Sequence, residues 1–217
     1  MSNVEFDQSE IPNPKSDIPR TWGAATAGGG EAGVGELKAW ERVGTRTLYE
    51  QAHVVVREDT LKLPDGRERA YPVLHLGASV GILPFLPQDR VVLVRQYRHL
   101  TRDFTWEIPG GGMLPEERPE ESAQRELREE VGYRAGRLWR LGGFWPNNAY
   151  LDEVIHIFVA ENLVADPLPA DQDEHLEVGS FPLDEALAMA QDDRISCGLT
   201  KLAILWSAVA GRARRGA

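Results

Sequence analysis

The segment from Gly111 to Tyr133 places a glycine-rich loop directly before a strongly acidic helix. It reads GGMLPEERPEESAQRELREEVGY and contains seven glutamates. Glu126 and Glu130 are four residues apart and so share one helix face, and Glu129 lies beside them. Like charges at this spacing destabilise a helix unless something offsets them. A divalent cation would do so, because Mg²⁺ takes carboxylate oxygens and often a substrate phosphate as ligands. The segment therefore predicts a helix that carries a metal site.

The available ligand atoms favour Mg²⁺ or Mn²⁺ over Zn²⁺, which prefers cysteine and histidine. We expect the glycines at 110–112 to form a turn in which the backbone approaches closely and its carbonyls add ligands. A metal held this way suits attack of water on a phosphorus of a pyrophosphate, because it offsets charge on the phosphate oxygens and lowers the pKa of bound water.

Charge and composition exclude several classes of partner. The chain has 217 residues and a formal net charge of −10, which argues against sequence-independent nucleic-acid binding. No apolar run approaches the roughly 18 residues of a membrane span. The first residues are acidic and polar, unlike a signal peptide, and the single cysteine, Cys197, fits a reducing compartment. We therefore expect a cytoplasmic protein with no nucleic-acid and no membrane partner.

The pattern along the chain divides it into three parts. Residues 1–36 have the composition of a flexible tail. Residues 37–78 are predicted to form an antiparallel β-hairpin subdomain with a turn at Pro64–Gly66, and residues 79–212 the main domain. The order of strands, one helix, strands and then helices predicts an α+β fold.

Individual elements follow from local signals. A helix is expected from Pro119 to Gly132, because proline suits a first helical turn and glycine a helix end. Two amphipathic helices are expected at Leu183–Gln191 and Leu199–Ala210. The strands are predicted at Thr45–Glu50, His53–Leu63, Tyr71–Leu76, Ser79–Leu86, Arg90–Tyr97, Leu138–Trp145, Glu153–Ala160 and His175–Phe181.

The spacing of the acidic segment resembles the signature of a known family. Gly111, five residues, Glu117, seven residues and then RELREEVGY at 125–133 resemble the Nudix box, with Tyr133 where an aliphatic residue is usual. The resemblance implies a Nudix fold, in which a mixed β-sheet is sandwiched between helices, and a Nudix hydrolase.

The same resemblance implies roles for single residues. In the catalytic machinery, Glu117 and Arg125 would hold the loop on the helix. The general base would come from the acidic loop at 171–175, with Glu174 as first choice and Asp173 as second, and the alternative is that this loop is only a solvated charge cluster. The metal ligands would be Glu126, Glu129, Glu130 and the carbonyl of Gly110. Glu129 is also assigned a catalytic role.

Two flanking segments resemble the ADP-ribose and nucleoside-diphosphate-sugar pyrophosphatase branch of the family, namely VRQYR at 94–98 and WEIPG at 106–110. The resemblance implies a small-molecule nucleotide-sugar substrate that is hydrolysed to a nucleoside monophosphate and a sugar phosphate. It also implies a homodimer in which the segment Trp40–Leu63 crosses to the partner. The expected substrate-binding residues are Arg98, Glu107, Trp40 as a stacking ring, Asn147 and Asn148.

Several alternatives stay open. Arg98 could be a solvated charge, Trp40 a packing residue, and the two asparagines simple turn formers. Asn148 stands where the ADP-ribose enzymes usually carry a proline, which leaves the sugar undecided. Dinucleoside polyphosphates, oxidised or normal nucleoside triphosphates and coenzyme A are alternative substrates, and a non-catalytic nucleotide-sugar sensor is the alternative from another class.

Overall fold

The computed structural model describes residues 38–171 and 174–215, the last five by their backbone alone. The predicted tail, 1–36, and the second-choice base, Asp173, lie outside these residues. The described chain forms two compact units. One consists of the chain up to His75 together with Ala149–Asp152, and the other of Leu76–Asn148 and the chain from Glu153.

The first unit is built on an antiparallel sheet with the order β1-β2-β3. Its strands are β1 (Glu41–Gln51), β2 (Val54–Lys62) and β3 (Glu68–His75). The predicted turn joins β2 to β3, and Gly66 has a φ of 85° there, a conformation that glycine adopts without steric cost.

Charged contacts fix the segment 149–152 on this sheet. A carboxylate oxygen of Asp152 lies 3.0 Å from Nη1 of Arg57 and another 2.9 Å from Nδ1 of His75. Hydrogen bonds also join the backbone of Leu74 to that of Tyr150 and Asp152. Residues distant in sequence thereby belong to one unit.

Within the described residues, the second unit contains a mixed seven-stranded sheet. The order is β10-β5-β4-β9-β8, with β6 on β5 and β7 on β4. The β4–β9 pair is parallel and the other pairs are antiparallel. The strands are β4 (Ala78–Leu86), β5 (Arg90–Arg98), β6 (Asp103–Glu107), β7 (Gly110–Gly112), β8 (Tyr133–Phe144), β9 (Val154–Ala165) and β10 (Glu177–Pro182).

Helices cover both faces of this sheet. They are α1 (Pro119–Glu130), α2 (Leu183–Gln191) and α3 (Gly198–Arg215). Neighbouring strand residues point to opposite faces: Ile82 packs in the cluster that contains Leu127 of α1, whereas Leu83 packs with residues of α2 and α3. The expected α+β fold, with a mixed sheet between helices, is confirmed. No helix of the described part is both long and apolar enough to cross a membrane.

The glycine triplet is the main difference from the predicted elements. Gly110–Gly112 is not a turn but the strand β7, paired with Ser79–Gly81 of β4. A Cβ atom on Gly110 would lie 2.2 Å from the carbonyl oxygen of Val80, so only glycine permits this approach. The prediction failed because three residues without side chains show no strand periodicity.

Three successive residues at the start of β7 are hydrogen-bonded to three different elements. The N–H of Ile108 donates to the buried hydroxyl of Thr200 on α3 at 3.0 Å. The carbonyl of Pro109 accepts from the N–H of Ile82 on β4 at 2.8 Å. The N–H of Gly110 donates to Oε2 of Glu130 on α1 at 3.0 Å. The segment that enters the acidic region is therefore fixed residue by residue.

Candidate active site

The guanidinium of Arg125 is the centre of the acidic region. Its Nε and Nη2 each lie 3.0 Å from an oxygen of Glu117. Its Nη1 donates to Glu126 at 2.7 Å and to Glu129 at 2.9 Å, and Nη2 also donates to the carbonyl of Gly112 at 3.0 Å. One planar group thus connects the loop, β7 and two glutamates of α1, which suits the fork of donors that arginine carries.

The negative charge in this network exceeds the positive charge. The hydrogen bond with Glu117 raises the pKa of Arg125 above its ordinary value, and the same bond lowers the pKa of Glu117. Both groups therefore stay ionised near neutral pH. Glu126 and Glu129 share the single charge of Arg125, so an additional cation would be favoured here.

Burial makes this excess charge costly at two positions. Glu126 and Glu130 are each only 7% exposed. Burial raises the pKa of Glu130 to about 8, with further upward contributions from the charges of Glu174 and Glu126, while the Gly110 N–H opposes the shift. Burial also raises the pKa of Glu126 despite its hydrogen bond from Arg125.

The donor atoms fit a hard divalent cation, although the side chains do not form a ready-made site. Among the residues that the structure describes, no group of three or more histidine, cysteine, aspartate or glutamate side chains is arranged to hold a metal. The reason lies in their present partners: Arg125 holds Glu126 and Glu129, and the Gly110 N–H holds Glu130. Carboxylate and backbone carbonyl oxygens are ligands that Mg²⁺ and Mn²⁺ accept. A bound cation would replace Arg125 and the Gly110 N–H as the partner that offsets the negative charge of these carboxylates.

Arg98, the last residue of β5, forms an ion pair with Glu107, the last residue of β6. Two hydrogen bonds join them, Nε to Oε1 at 2.9 Å and Nη2 to Oε2 at 2.6 Å. The Glu107 side chain is 7% exposed and that of Arg98 50%. The bond to Glu107 raises the pKa of Arg98, and Glu130 contributes in the same direction. Arg98 is therefore a fixed, half-exposed cation near Glu130, a suitable donor to a phosphate oxygen.

Glu174 belongs to the same electrostatic group. Burial raises its pKa, and the charges of Asp171 and Glu129 add to the shift, whereas Arg98 opposes it. Its charge also contributes to the raised pKa values of Glu126 and Glu130. A carboxylate with a raised pKa beside an anionic site is the type of group that serves as a general base.

The remaining expected site residues are on other segments of the chain. Asn147 and Asn148 occupy the exposed turn that follows β8. Trp40 belongs to the first unit, where its ring meets Tyr71 edge-on at 6.2 Å and Arg69 lies 5.9 Å from its centre.

Sequence reasoning missed two features of this region. Thr200 anchors Ile108 from a position 92 residues later, and no local pattern indicates such a contact. The second is an open cleft beside Glu174, whose wall includes Arg95 and Phe104. An aromatic residue in a short polar hairpin was the only signal available for it.

Comparison with known proteins agrees with the geometry. Residues 75–197 match the model of the NUDIX domain. The ADP-ribose pyrophosphatase of Bacillus subtilis (strain 168) is 30% identical over 67% of this chain and 80% of its own length. The GDP-mannose pyrophosphatase of Yersinia enterocolitica is 31% identical over 62% and 74%. A crystal structure of an ADP compounds hydrolase aligns with a TM-score of 0.76 at 23% identity, over 83% of this chain and 98% of the other, and supports the fold.

Replacement of Gly111 tests the position of Glu126. In Gly111→Ala the new Cβ would lie 2.6 Å from Oε1 of Glu126, so the carboxylate must move while the fold persists. We expect Mn²⁺ binding, measured by calorimetry, to weaken roughly 10- to 100-fold, as for loss of a group that orients a ligand. Gly112→Ala is the matched control, because its Cβ would meet nothing within 4 Å. Equal affinities in the two variants would contradict the assignment.

Replacement of Glu130 tests the cost of its burial. The folded protein binds this proton more tightly than the unfolded chain, since the pKa rises from 4.5 to about 8. Stability should therefore decline as the pH rises from about 4.5 to 8, by at most about 1.4 kcal/mol per pH unit from this one group. Glu130→Gln should remove that part of the slope. The measurement is urea unfolding across this range in the presence of a chelator, and equal slopes for wild type and variant would refute the prediction.

Proposed function

Because this chain belongs to the NUDIX family and is a hydrolase of that family, we propose that it cleaves the pyrophosphate bond of nucleoside diphosphate sugars. ADP-ribose is the first candidate, Mg²⁺ or Mn²⁺ is the cofactor, and the products are a nucleoside monophosphate and a sugar phosphate. The observation that carries the proposal is the excess of carboxylates around Arg125. It favours binding of a divalent cation together with an anionic substrate.

The cation would be held by Glu126, Glu129, Glu130 and the carbonyl of Gly110. When bound, it supplies charge for the phosphate oxygens and lowers the pKa of a water. Arg125 and Glu117 keep the loop on α1, so that the carboxylates stay in place. Arg98 binds a phosphate oxygen with the part of its guanidinium that faces solvent, while Glu107 fixes its direction.

Glu174 completes the proposed reaction. Its carboxylate accepts the proton of the attacking water, the new oxygen–phosphorus bond forms, and the phosphate on the far side leaves as part of the second product. The leaving group is itself a phosphate, so placement and charge neutralisation contribute more than acid catalysis. Asn147 and Asn148 contact the sugar or a phosphate in this proposal.

The substrate class is supported by relatives rather than by a single residue. Two of them are named for ADP-ribose and for GDP-mannose, which share a nucleoside diphosphate joined to a sugar. The rival readings remain hydrolysis of dinucleoside polyphosphates or nucleoside triphosphates, and a sensor without catalysis. The full set of acidic side chains at 126, 129, 130 and 174 favours an enzyme over a sensor.

A homodimer through the first unit is part of the proposal. Strand β1 pairs with β2 along one edge, and nearly all of its residues are exposed, including Val43, Leu48 and Tyr49 at about half of their surface each. Long, exposed edge strands with apolar residues favour association with another chain. Sedimentation at working concentration should give a dimer, and a monomer would remove this part of the proposal.

A substrate panel tests the reaction. ADP-ribose, ADP-glucose, GDP-mannose, diadenosine tetraphosphate and deoxynucleoside triphosphates are incubated with Mg²⁺ or with chelator. We expect cation-dependent release of nucleoside monophosphate from the sugar compounds. Activity on triphosphates alone would overturn the substrate class, and no activity on any compound would favour the sensor.

A pair of variants separates the proposed site from a contaminating activity. Glu130→Gln should lose at least about a hundredfold in kcat/KM, because a buried ligand is removed. Glu120→Gln makes the same charge change on the exposed first turn of α1 and should keep full activity. Equal losses in both variants would argue against the assigned site.

A further inference from the structure

The segment 196–200, where α3 begins, contacts the chain on both sides of Glu107. The hydroxyl of Ser196 donates to the hydroxyl of Thr105 at 3.1 Å. The hydroxyl oxygen of Thr200 accepts the N–H of Ile108 at 3.0 Å. Thr105 precedes Glu107 by two residues and Ile108 follows it directly. A segment distant in sequence therefore holds the backbone that carries this carboxylate.

The contact made by Thr200 is the more deeply buried of the two. Thr200 has no exposed surface and Ile108 is only 4% exposed, whereas Ser196 is exposed. A buried N–H that loses its acceptor costs free energy, because water cannot easily take the place of the lost partner. The position of the backbone at Ile108 therefore depends mainly on the Thr200 hydroxyl.

Packing around Ile108 leaves little room for another position. A Cβ atom on Gly81 would lie 2.9 Å from Cδ1 of Ile108 and 3.2 Å from each δ carbon of Leu199, the residue before Thr200. Gly81 is also the partner of Gly110 in the pairing of β4 with β7. The apolar contacts and the hydrogen bond therefore hold the same stretch of backbone between α3 and β4.

Glu107 passes this position on to Arg98. Glu107 is paired with Val94 of β5, and Val94 packs in the cluster that contains Leu127 of α1. Directly opposite residues of neighbouring strands point to the same face of a sheet, so the Glu107 carboxylate lies on the α1 face. There it accepts two hydrogen bonds from Arg98, at 2.9 and 2.6 Å. Because the Glu107 side chain is only 7% exposed, its direction follows that of its backbone.

We propose that Thr200 is a positioning residue of the hydrolytic site. Its hydroxyl fixes the backbone at Ile108, and this backbone directs Glu107 and, through it, the guanidinium of Arg98 that binds a phosphate oxygen. The inference rests on the proposed function and adds to it a residue that acts from α3 through the main chain. A displacement of about 1 Å at a group that orients the substrate can lower a rate about a hundredfold.

Thr200→Val tests the role of the hydroxyl. The variant keeps a β-branched side chain of similar size but removes the acceptor of the Ile108 N–H, so the segment shifts and Arg98 loses its fixed direction. We expect kcat/KM for ADP-ribose to fall roughly 10- to 100-fold, with a higher KM. Thr200→Ser keeps the oxygen and should restore most of the activity. Hydrolysis is measured with Mg²⁺ at a temperature at which circular dichroism shows every variant to be folded.

Ile204→Ala is the matched control for a loss of stability. Ile204 lies one turn after Thr200 on α3 and is fully buried. Its truncation weakens the packing of α3 without removing a polar group. The variant should unfold at lower urea concentration and still keep the wild-type kcat/KM while folded. An equal fall in kcat/KM for Ile204→Ala and Thr200→Val would show that stability alone is affected, and the positioning role would be wrong.

A double-mutant cycle tests the path through Arg98. Arg98→Ala removes the guanidinium that Thr200 is proposed to direct. Thr200→Val should therefore lower kcat/KM much less in the Arg98→Ala protein than in the wild type, because residues that act through one contact are not additive. Equal factors in the two backgrounds would contradict the path.

Binding without hydrolysis gives a second measure. Calorimetry with Mg²⁺ and the α,β-methylene analogue of ADP-ribose should show roughly tenfold weaker binding to Thr200→Val and wild-type binding to Ile204→Ala. If the wild type hydrolyses ADP-ribose and Thr200→Val keeps both its kcat/KM and its affinity, only the positioning role is refuted. A wild-type protein that hydrolyses no compound of the panel would refute the proposed function and this role with it.

Discussion

The guanidinium of Arg125 is the interaction on which the acidic region depends. It spans from the loop, through Glu117 and the carbonyl of Gly112, to Glu126 and Glu129 on α1. Without this cation, the loop and the helix would present carboxylates to one another across a short distance, and repulsion would separate them. Arg125 therefore links Gly112 of β7 to the helix and positions two of the proposed ligands, Glu126 and Glu129.

Burial of two carboxylates makes the same arrangement energetically unfavourable. Glu126 and Glu130 lose most of their hydration, and their raised pKa values express that loss. Proteins retain such groups where function requires them. Leu127 and Ala123 pack into the core and hold α1 in place. The burial of this apolar face offsets the unfavourable free energy of the buried carboxylates on the acidic face.

Much of this structure was predictable because its signals are local. Proline at 119 and glycine at 132 mark the ends of α1, and the run Val91–Val94 has the continuous apolar pattern of a strand buried on both faces. The fold class follows from these patterns. The strand β7 could not be predicted from these patterns, since its pairing with β4 depends on the absence of side chains.

Other features were beyond the sequence because they join distant residues. The hydroxyl of Thr200 reaches Ile108 only after α3 packs on the sheet. The link from Arg125 to Glu129 depends on a choice of side-chain conformer that charge spacing alone leaves open. The cleft beside Phe104 requires β10 to lie along β5. In each case tertiary packing, not propensity, decides the contact.

The three-point attachment of residues 108–110 has a consequence for how such a chain can vary. A deletion or insertion there would break bonds to α3, β4 and α1 at once, so its length is fixed. The turn at 99–102 lies exposed and carries no comparable ties. A change of length at 99–102 would therefore break fewer hydrogen bonds between elements than one at 108–110.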